Sequence, residues 1–330
     1  MDIFKDSSVL ITGGTGSLGK VLTRHLLENT EARRIAIFSR DELKQYDMKK
    51  EFGSDPRLRF FLGDIRDLGR LKIALQNVDF VVHAAALKQV DTGEYNPMEF
   101  VKTNVLGSQN LIDAALACRV KKIVALSTDK ASSPINLYGA TKLTADKLFI
   151  AANNYTYDRG TIFSVVRYGN VIGSRGSVIP LFKDLAKNGK VISVTDFRMT
   201  RFWISMQEAV NFICDSFRMM KGGELYIPRI PSMKIIDLAK AITSSANLVE
   251  TGIRPGEKLH EEMISEEDSR RTIISGNRFT VMPVYAEWGY SQPKGTLMIE
   301  NSAYRSDTND LWVTEDQIFQ IINKLDYFYD

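Results

Sequence analysis

Short apolar runs alternate with longer amphipathic stretches along the first half of the chain. Six runs rich in Val, Ile and Leu predict strands, and amphipathic stretches such as Leu18–Leu27 and Asn104–Ala117 predict helices between them. Apolar strands alternating with helices are typical of a parallel sheet covered on both faces. The predicted strands are Ser8–Ile11, Arg34–Phe38, Leu58–Leu62, Phe80–His83, Lys122–Leu126 and Ile162–Arg167.

The alternation changes near Gly169. Shorter elements follow, interrupted by prolines, and one regular helical pattern, Met206–Met220, resumes the earlier rhythm. We expect an α/β protein, with a Rossmann-type doubly wound parallel sheet and a smaller irregular C-terminal substrate lobe. The predicted division is residues 1–170 for the sheet domain, with 200–220 returning to it, and residues 171–199 and 221–330 for the lobe. A ligand should lie between them, at the carboxyl ends of the strands.

Composition and charge exclude several classes of protein. The net charge of +3, from 43 basic and 40 acidic residues, is too balanced to favour nucleic acid or a membrane surface as partner. The two cysteines, Cys118 and Cys214, fall in helical patterns and are predicted to be small buried residues, without a disulfide or a metal. The chain shows neither a signal peptide nor an apolar run of about 20 residues. We therefore expect a cytoplasmic protein.

The segment ITGGTGSLGK follows the first predicted strand and opens the first predicted helix. Its glycines form G-x-G-x-x-G and also G-x-x-G-x-x-G. Glycine allows the tight turn and lets backbone N–H groups approach a pyrophosphate at the positive end of a helix, so the segment predicts a dinucleotide site. The predicted contacts are Thr12, Gly13, Thr15, Gly16, Ser17, Leu18 and Gly19.

The end of the second predicted strand bears on which dinucleotide binds. NAD sites usually place an acidic residue there, whereas Ser39 and Arg40 stand here, with Lys44 one turn further. A hydroxyl and two cations suit a 2′-phosphate and favour NADP, although Asp41 and Glu42 would also fit a solvated helix start. Further cofactor contacts are predicted after the third and fourth strands, at Asp64, Ile65, Ala84, Ala85 and Ala86.

Tyr138 and Lys142 follow the fifth predicted strand and lie one turn apart on the next predicted helix. A cation beside a phenol stabilises the phenolate, so Tyr138 could act as a base near neutral pH. Tyr-x-x-x-Lys is common by chance, and only its combination with the glycine segment and the strand position favours a catalytic pair.

Together with Ser127 or Thr128, the glycine segment and the Tyr138–Lys142 pair resemble the extended short-chain dehydrogenase/reductases, most of which act on nucleotide sugars. Further segments are similar to UDP-N-acetylglucosamine 4,6-dehydratases, in particular the 5-inverting type that begins pseudaminic acid synthesis. These segments are SRDELKQ, AALKQV, EYNPMEFVKTNV, STDKASSPINLYGATK, VRYGNVIGSRGSVIPLF, MTRFWIS, IPSMKIIDLA and IRPGEKLHE. One departure, Asp91-Thr92-Gly93 in place of the usual proline, falls in a loop expected beside the sugar.

The resemblance implies a reaction and a role for each catalytic residue. Tyr138, supported by Lys142 and Thr128, removes the C4 hydroxyl proton while NADP⁺ takes the C4 hydride. Lys130 removes the C5 proton, and Asp129 protonates the departing C6 hydroxyl. The hydride then returns to C6 and C5 is reprotonated. An amine in a closed pocket beside other catalytic groups is expected to lose its proton readily; the alternative for Asp129-Lys130 is a surface ion pair.

Substrate contacts are likewise implied by the resemblance. Lys88 is expected near both the sugar and the cofactor, Asn170 and Val178 near the diphosphate and uracil, and Arg254 and Glu257 at the diphosphate and uridine ribose. Thr195 is a further expected contact. The expected partner is UDP-N-acetylglucosamine, in a homo-oligomer without nucleic acid or membrane.

Two other functions remain open from sequence. A UDP-hexose 4-epimerase or a retaining dehydratase would use the same scaffold, but an epimerase requires no acid–base pair at positions 129 and 130. A non-catalytic NADP-binding regulator would not require Tyr138.

Overall fold

The computed structural model describes residues 2–156, 160–173, 178–242, 248–314 and 316–322. Strands occur in all of these ranges except the last. In chain order they are β1 Ser8–Thr12, β2 Arg34–Ser39, β3 Leu58–Leu62, β4 Phe80–His83, β5 Lys122–Thr128, β6 Ile162–Tyr168, β7 Asn170–Val171, β8 Ile192–Val194, β9 Thr200–Ile204, β10 Leu225–Pro228, β11 Ser232–Lys234, β12 Leu248–Glu250, β13 Glu262–Ile264, β14 Thr272–Ser275, β15 Arg278–Val281, β16 Thr296–Leu297 and β17 Tyr304–Arg305.

Helices connect most of the strands in the first half. The α-helices are α1 Ser17–Asn29, α2 Glu42–Phe52, α3 Leu68–Ala74, α4 Val90–Tyr95, α5 Pro97–Phe100, α6 Gly107–Ala117, α7 Leu137–Ala151, α8 Val178–Lys187, α9 Met206–Met219, α10 Ile235–Ile242 and α11 Glu266–Ser269. Residues 316–322 are also helical. A π-helix spans Val101–Leu106, and 3₁₀ turns span Asp129–Ala131 and Ala152–Tyr155.

Among the described residues, one 10-stranded sheet dominates, in the order β16-β14-β15-β10-β6-β5-β4-β1-β2-β3. From β3 to β10 each neighbouring pair is parallel, and the three strands beyond β10 pair antiparallel. The order reverses between β1 and β4, which is where doubly wound sheets bind ligands. The predicted α/β class and Rossmann-type sheet are confirmed.

The central strands form because their residues are apolar on both sides. Every residue of β1 is buried, as is nearly every residue of β2 and β5. A strand covered on both faces gains from continuous Val, Ile and Leu rather than from alternation. All six strands predicted from sequence are present, and their ends differ from the predicted ends by at most two residues. The extension of β5 to Thr128 matters most, because it carries the chain directly to Asp129.

The sheet reaches further into the C-terminal range than the sequence suggested. Strands β10, β14, β15 and β16 all belong to the main sheet, although they fall within residues 221–330, the range assigned to the lobe. The short antiparallel strands lack the strand–helix alternation from which sheet membership was predicted. Residues 174–177, 243–247, 315 and 323–330, also assigned to the lobe, lie outside the described residues.

Helix α9 packs against the sheet domain, whereas residues 200–204, which were also expected to return to it, form β9 in a separate three-stranded sheet. Phe217 packs edge-on against Phe4 and Phe80 at ring-centroid distances of 5.6 Å, and its carbonyl accepts a hydrogen bond from Lys122 Nζ at 2.8 Å. A capping box at Ser205 and Glu208 fixes the start of the helix. The helix therefore connects the two parts of the chain.

A second, smaller apolar core lies in the lobe. Its largest member is Trp203, which is 2% exposed and packs with side chains of α8, α10 and residues 316–322. Amphipathic helices with one apolar face assemble in this way without a large sheet. The lobe thus has a packed interior of its own, and its strand β9 faces the carboxyl end of the main sheet through β7.

Three local expectations need correction. Cys118 does not lie inside a helix: it follows α6, is only partly buried, and donates through Sγ to the Lys72 carbonyl. The helix predicted from Asn104 begins at Pro97 and contains the π-helix, a feature with no sequence signature here. The Asp91-Thr92-Gly93 departure lies within α4 rather than in a loop.

Candidate active site

A cavity of about 810 Å³ opens at the carboxyl ends of the parallel strands, where the strand order reverses. Most of the residues predicted from sequence line it. They are Gly13, Thr15, Gly16, Ser17, Leu18, Gly19, Ser39, Arg40, Lys44, Asp64, Ile65, Ala84, Ala85, Ala86, Lys88, Thr128, Asp129, Lys130, Tyr138, Lys142, Asn170, Val178, Arg254 and Glu257. The lobe completes the wall, so the cavity lies between the sheet and the lobe as expected.

Two predicted residues do not line the cavity. Thr12 is fully buried, lies 2.8 Å through Oγ1 from His83 Nδ1, and accepts hydrogen bonds from the backbone N–H groups of Ala84 and Ala85. It holds the ends of β1 and β4 together instead of facing a ligand. Thr195 is 9% exposed and its hydroxyl contacts Met199 Sδ, so the expectation of a substrate contact there is wrong.

The glycine-rich turn has the shape that a dinucleotide requires. Gly13 has φ +65°, and a Cβ at this position would lie 2.9 Å from backbone atoms of Ala84 and Ala85. Only glycine allows the turn after β1 to come so close to the segment after β4. The N-terminus of α1 then faces the cavity without a side-chain cap on its N–H groups. These residues fit a pyrophosphate bound at the end of α1.

At the other end of the cavity, cations and carboxylates occur together. Arg40 is exposed and lies 3.9 Å from Asp64, while Lys44 Nζ pairs with Asp41 at 2.7 Å. Asp41 also caps α2 by accepting from the Lys44 N–H. The sequence offered a charged helix start as the alternative to a 2′-phosphate site, and the structure contains such a helix start at Asp41. Ser39 is buried and accepts from Gln45 Nε2.

Tyr138 and Lys142 occupy the first turns of α7, with Tyr138 in the cavity wall. Lys142 is 4% exposed, and its Nζ donates to the Leu126 carbonyl at 2.6 Å. Burial raises the pKa of Tyr138 to about 12, while the charge of Lys130 and a hydrogen bond with Thr128 act in the opposite direction. Lys130 is therefore a cation that favours the phenolate in this structure, and the role expected of Lys142 stays a prediction.

Lys130 lies between two buried carboxylates. Its Nζ donates to Glu261 Oε1 at 2.8 Å and to Asp129 Oδ1 at 3.2 Å, and the two acids are 1% and 2% exposed. Thr128 Oγ1 also donates to Asp129 Oδ1 at 2.9 Å. Asp129-Lys130 is therefore no surface ion pair, which removes the alternative considered from sequence.

The electrostatics of this cluster reverse one expectation. Burial lowers the pKa of Lys130, but the negative charges of Asp129 and Glu261 outweigh burial and raise it well above its ordinary value. The argument that this amine loses its proton readily is wrong, because it overlooked two adjacent carboxylates. Burial and the charge of Glu261 raise the pKa of Asp129. The pKa of Glu261 falls instead, because Lys130 and Arg201 outweigh its burial.

The lobe side of the cavity is held by hydrogen bonds to backbone. Arg201 donates to the carbonyls of Thr200, Lys258 and Leu259, and its guanidinium lies 3.5 Å from Glu257. The N-cap of α7, Asn136, donates to the Gly256 carbonyl at 2.8 Å. The segment 254–258 is thereby fixed opposite Tyr138.

Several buried polar atoms around the cavity have no hydrogen-bond partner among the described residues. They are Asp129 Oδ2, Asn170 Oδ1, Trp203 Nε1, Glu257 Oε2 and Glu261 Oε2. Buried polar atoms without partners are uncommon and cluster where a ligand or a transferred proton supplies the missing contact.

Sequence reasoning assigned no role to several residues of the cavity wall, among them Arg201, Trp203, Lys258 and Glu261. All four fall in the segments MTRFWIS and IRPGEKLHE, which carried the family resemblance. The family resemblance therefore pointed to these segments. Their residues could be assigned to the cavity wall only from the positions of β9 and of the chain before β13.

Neither a metal site nor a membrane-spanning helix is found in the described ranges. No group of three or more His, Cys, Asp or Glu side chains in them could hold a metal ion. No helix among them has the length and apolar character needed to cross a membrane.

Comparisons with known proteins agree with the fold and the cavity. The family described as polysaccharide biosynthesis protein matches residues 9–283. The chain is 51% identical, over 99% of its length and all of the relative's, to a UDP-N-acetylglucosamine 4,6-dehydratase (inverting) of Campylobacter jejuni. Pen from Bacillus thuringiensis has a similar structure, with a TM-score of 0.90, 37% identity, and 98% and 99% of the two chains covered.

A more distant structure is that of DesIV, a dTDP-glucose 4,6-dehydratase from Streptomyces venezuelae solved with NAD and TYD. Its TM-score is 0.69 at 26% identity, covering 76% of this chain and 86% of that one. The resemblance found in the sequence motifs is confirmed by these comparisons.

The contact between α7 and the turn at Lys130 generates a prediction. A Cβ on Gly139 would lie 2.1 Å from the Lys130 carbonyl oxygen, so Gly139→Ala must push the turn and the helix apart. We expect the free energy of unfolding, measured with urea, to fall by about 1–3 kcal/mol.

Gly69→Ala in α3 is the matched control, because its Cβ would meet nothing closer than Asp67 Oδ1 at 3.4 Å. It should be neutral or stabilise by up to about 1 kcal/mol. An unchanged stability for Gly139→Ala would show that this contact is not as tight as described.

Proposed function

We propose that this chain, which belongs to the polysaccharide biosynthesis protein family among the extended short-chain dehydrogenase/reductases, is a UDP-N-acetylglucosamine 4,6-dehydratase that inverts C5. The product would be UDP-2-acetamido-2,6-dideoxy-β-L-arabino-hex-4-ulose. The observation that carries the proposal is the buried Asp129-Lys130 pair beside Tyr138 in one cavity. A 4-epimerase would need Tyr138 but no acid and amine for elimination.

The loop at Gly13 and the N-terminus of α1 would hold a nicotinamide dinucleotide, which takes the C4 hydride when bound and later returns it to C6. NADP is the cofactor we propose, because β2 ends at Ser39 and is followed by Arg40, without the carboxylate that usually binds a ribose 2′-hydroxyl. The nearest acid, Asp41, caps α2 and pairs with Lys44. The relative DesIV was solved with NAD, so the preference requires its own test.

Tyr138 would remove the proton of the C4 hydroxyl. Its high pKa means that the phenolate must be stabilised as it forms, and Lys130 and the Thr128 hydroxyl are placed to do this. Lys142 is fixed on the Leu126 carbonyl, and we propose that it orients the cofactor and Tyr138.

Asp129 would protonate the departing C6 hydroxyl, and Lys130 would take the proton from C5. The raised pKa of Asp129 keeps its carboxyl protonated more readily than an exposed aspartate, as an acid requires. Lys130 must instead give up a proton before it can accept one, since its pKa is raised. A base role for Lys130 thus requires that solvent, which reaches its 26% exposed side chain, accepts this proton.

We propose that Lys88, Asn170, Val178, Arg254 and Glu257, which all line the cavity, contact the nucleotide sugar. An arginine fork suits a diphosphate, and Arg254 is exposed at the cavity wall. The unpartnered oxygens of Asn170 and Glu257 are acceptors available to sugar or ribose hydroxyls. A homo-oligomeric state, a cytoplasmic location and a role in pseudaminic acid synthesis also remain proposals.

NMR of the product formed from UDP-N-acetylglucosamine in D₂O tests the function. We expect a 4-keto, 6-deoxy sugar with solvent deuterium at C5 and inverted configuration there. Retained configuration at C5 would move the chain to the retaining dehydratases, and a C4 epimer without loss of water would make it an epimerase.

The NADP proposal predicts a selective effect of Arg40→Ala. Loss of the guanidinium should weaken NADP⁺ much more than NAD⁺, by roughly tenfold or more, since a charge-assisted hydrogen bond contributes about 1.5–3 kcal/mol. Calorimetric titration with both cofactors measures the two affinities. Lys50→Ala, an equal loss of charge in the last turn of α2, serves as control. Equal weakening of both cofactors by Arg40→Ala would remove the argument.

Lys130→Ala should separate the two halves of the reaction. Oxidation at C4, seen as reduced-nicotinamide absorbance, should slow because Lys130 also favours the Tyr138 phenolate, but it should stay detectable. Dehydration should fall further, by roughly 10²–10⁴-fold, because a positioned base is lost. Single-turnover absorbance and product analysis report the two steps, with exposed Lys147→Ala as control. Dehydration at the wild-type rate in Lys130→Ala would contradict the assignment.

A further inference from the structure

Thr128 connects the two groups that would handle protons at different carbons of the sugar. Its Oγ1 donates to Asp129 Oδ1 at 2.9 Å, and it shares a hydrogen bond with the hydroxyl of Tyr138. A hydroxyl both donates and accepts, so Thr128 can give its own proton to one neighbour while it takes a proton from the other. Tyr138, Thr128 and Asp129 therefore form a continuous hydrogen-bonded chain.

The backbone fixes this chain from two directions. Strand β5 ends at Thr128, and Asp129 follows directly in the 3₁₀ turn. Helix α7 packs on the same turn at Gly139, where a Cβ would lie 2.1 Å from the Lys130 carbonyl oxygen. This close packing holds Tyr138, the residue before Gly139, against the turn that carries Asp129.

Asp129 has an oxygen on which a proton can reside and little access to solvent. It is 2% exposed, and its Oδ2 is buried without a hydrogen-bond partner among the described residues. Burial and the charge of Glu261 raise the pKa of Asp129, so a proton that reaches it is held. Of the two side chains that hydrogen-bond to it in the described ranges, Lys130 is a poor source of that proton, because the adjacent carboxylates raise the lysine pKa. Thr128 is the contact that can supply it.

We propose that Thr128 passes a proton from Tyr138 to Asp129 as the C4 hydroxyl is oxidised, so that the proton lost from this hydroxyl is replaced by the one that later leaves in water. The proposal rests on the dehydratase function proposed above. The C4 hydroxyl gives its proton to Tyr138, Tyr138 gives its own to Thr128, and Thr128 gives its own to Asp129. The O–H electron pair becomes the second bond of the C4 carbonyl, and the C4–H pair leaves as hydride to an oxidised nicotinamide.

Elimination then uses the proton stored on Asp129. Lys130 takes the C5 proton, the C5–H electron pair forms the C5–C6 double bond, and the C6–O bond breaks. Asp129 protonates the departing hydroxyl, which leaves as water, and is ionised again. Tyr138 and Thr128 already carry their protons, so the chain returns to its starting state. Hydride return to C6 and reprotonation of C5 by Lys130 complete the product.

The relay lets a tyrosine with a pKa of about 12 act as a base at neutral pH, because Tyr138 releases one proton as it takes another. The rate of C4 oxidation should therefore be flat over the pH range in which Asp129 is ionised and Tyr138 is protonated. The titratable and charged groups that face the chain come from its own turn, from α7, β6 and β9, and from the segment before β13. They are Lys130, Lys142, Asp146, Tyr168, Arg201, Lys258 and Glu261.

Thr128→Val tests the relay, because it removes the hydroxyl that would carry the proton. Tyr138 must then ionise before it can take the C4 proton. Single-turnover C4 oxidation, followed as reduced-nicotinamide absorbance, should slow by roughly 10²–10⁴-fold at neutral pH. The remaining rate should rise by roughly tenfold per pH unit towards the pKa of Tyr138. Thr128→Ser keeps a hydroxyl and should restore the flat profile and most of the rate.

Asp129→Asn is the second variant, and it tests the relay even if Thr128→Val folds poorly. The amide cannot take the proton, so C4 oxidation should slow together with elimination and should acquire the same rise with pH. Infrared difference spectra supply a readout other than the rate: in the wild type, a protonated-carboxyl band should form together with reduced nicotinamide, and Asp129→Asn should lack it.

Thr144→Val is the matched control for the loss of a threonine hydroxyl. Thr144 is exposed on α7, and its Oγ1 donates to the Ala140 carbonyl. This variant should keep the rate and the flat pH profile of the wild type.

A flat profile for Thr128→Val, or C4 oxidation at the wild-type rate in Asp129→Asn, would overturn the relay. Equal slowing of Thr128→Val and Thr128→Ser at every pH would overturn it as well and leave Thr128 a structural role, as would a wild type without the carboxyl band. Wild-type enzyme that forms no 4-keto, 6-deoxy product in the same assay would instead overturn the proposed function, so the two failures are distinguishable.

Discussion

The placement of one ammonium group between two buried carboxylates is the constraint on which this site depends. Lys130 contacts Asp129 from its own turn and Glu261 from a segment 131 residues later in the chain. Removal of one partner from a buried ion pair leaves an uncompensated charge and costs about 3–5 kcal/mol. The fold must therefore bring the sheet domain and the lobe together accurately for either carboxylate to be tolerated in the interior.

Three features of the fold produce that placement. Strand β5 ends directly before Asp129, so the acid and the amine emerge at the carboxyl edge of the sheet. Gly139 lets α7 pack against the Lys130 carbonyl, which puts Tyr138 beside the same turn. The chain before β13 is held by Ser306 and brings Glu261 across from the lobe. Each is a backbone arrangement, and the chemistry follows from side chains that the backbone has already oriented.

Much of this architecture is local in sequence and was predictable for that reason. The apolar runs identify the parallel strands, and the glycines after β1 and the Tyr138–Lys142 spacing on α7 identify most of the cavity wall. What the sequence did not reveal depends on distant contacts. The antiparallel strands β14–β16 join the sheet only through tertiary pairing, and Thr195 turns towards Met199 rather than the cavity. The sign of the Lys130 pKa shift was wrong because the charge of the neighbouring Asp129 was not weighed and because Glu261 is remote in the chain.

Coupling between Lys130 and Glu261 is the central claim, and a double-mutant cycle on the free energy of unfolding measures it most directly. Wild type, Lys130→Ala, Glu261→Gln and the double variant would be compared by urea denaturation at one pH. The double variant should lose less stability than the sum of the two single losses, by about 0.5–3 kcal/mol, because it leaves neither partner of this pair buried without the other. Losses that simply add would contradict the account.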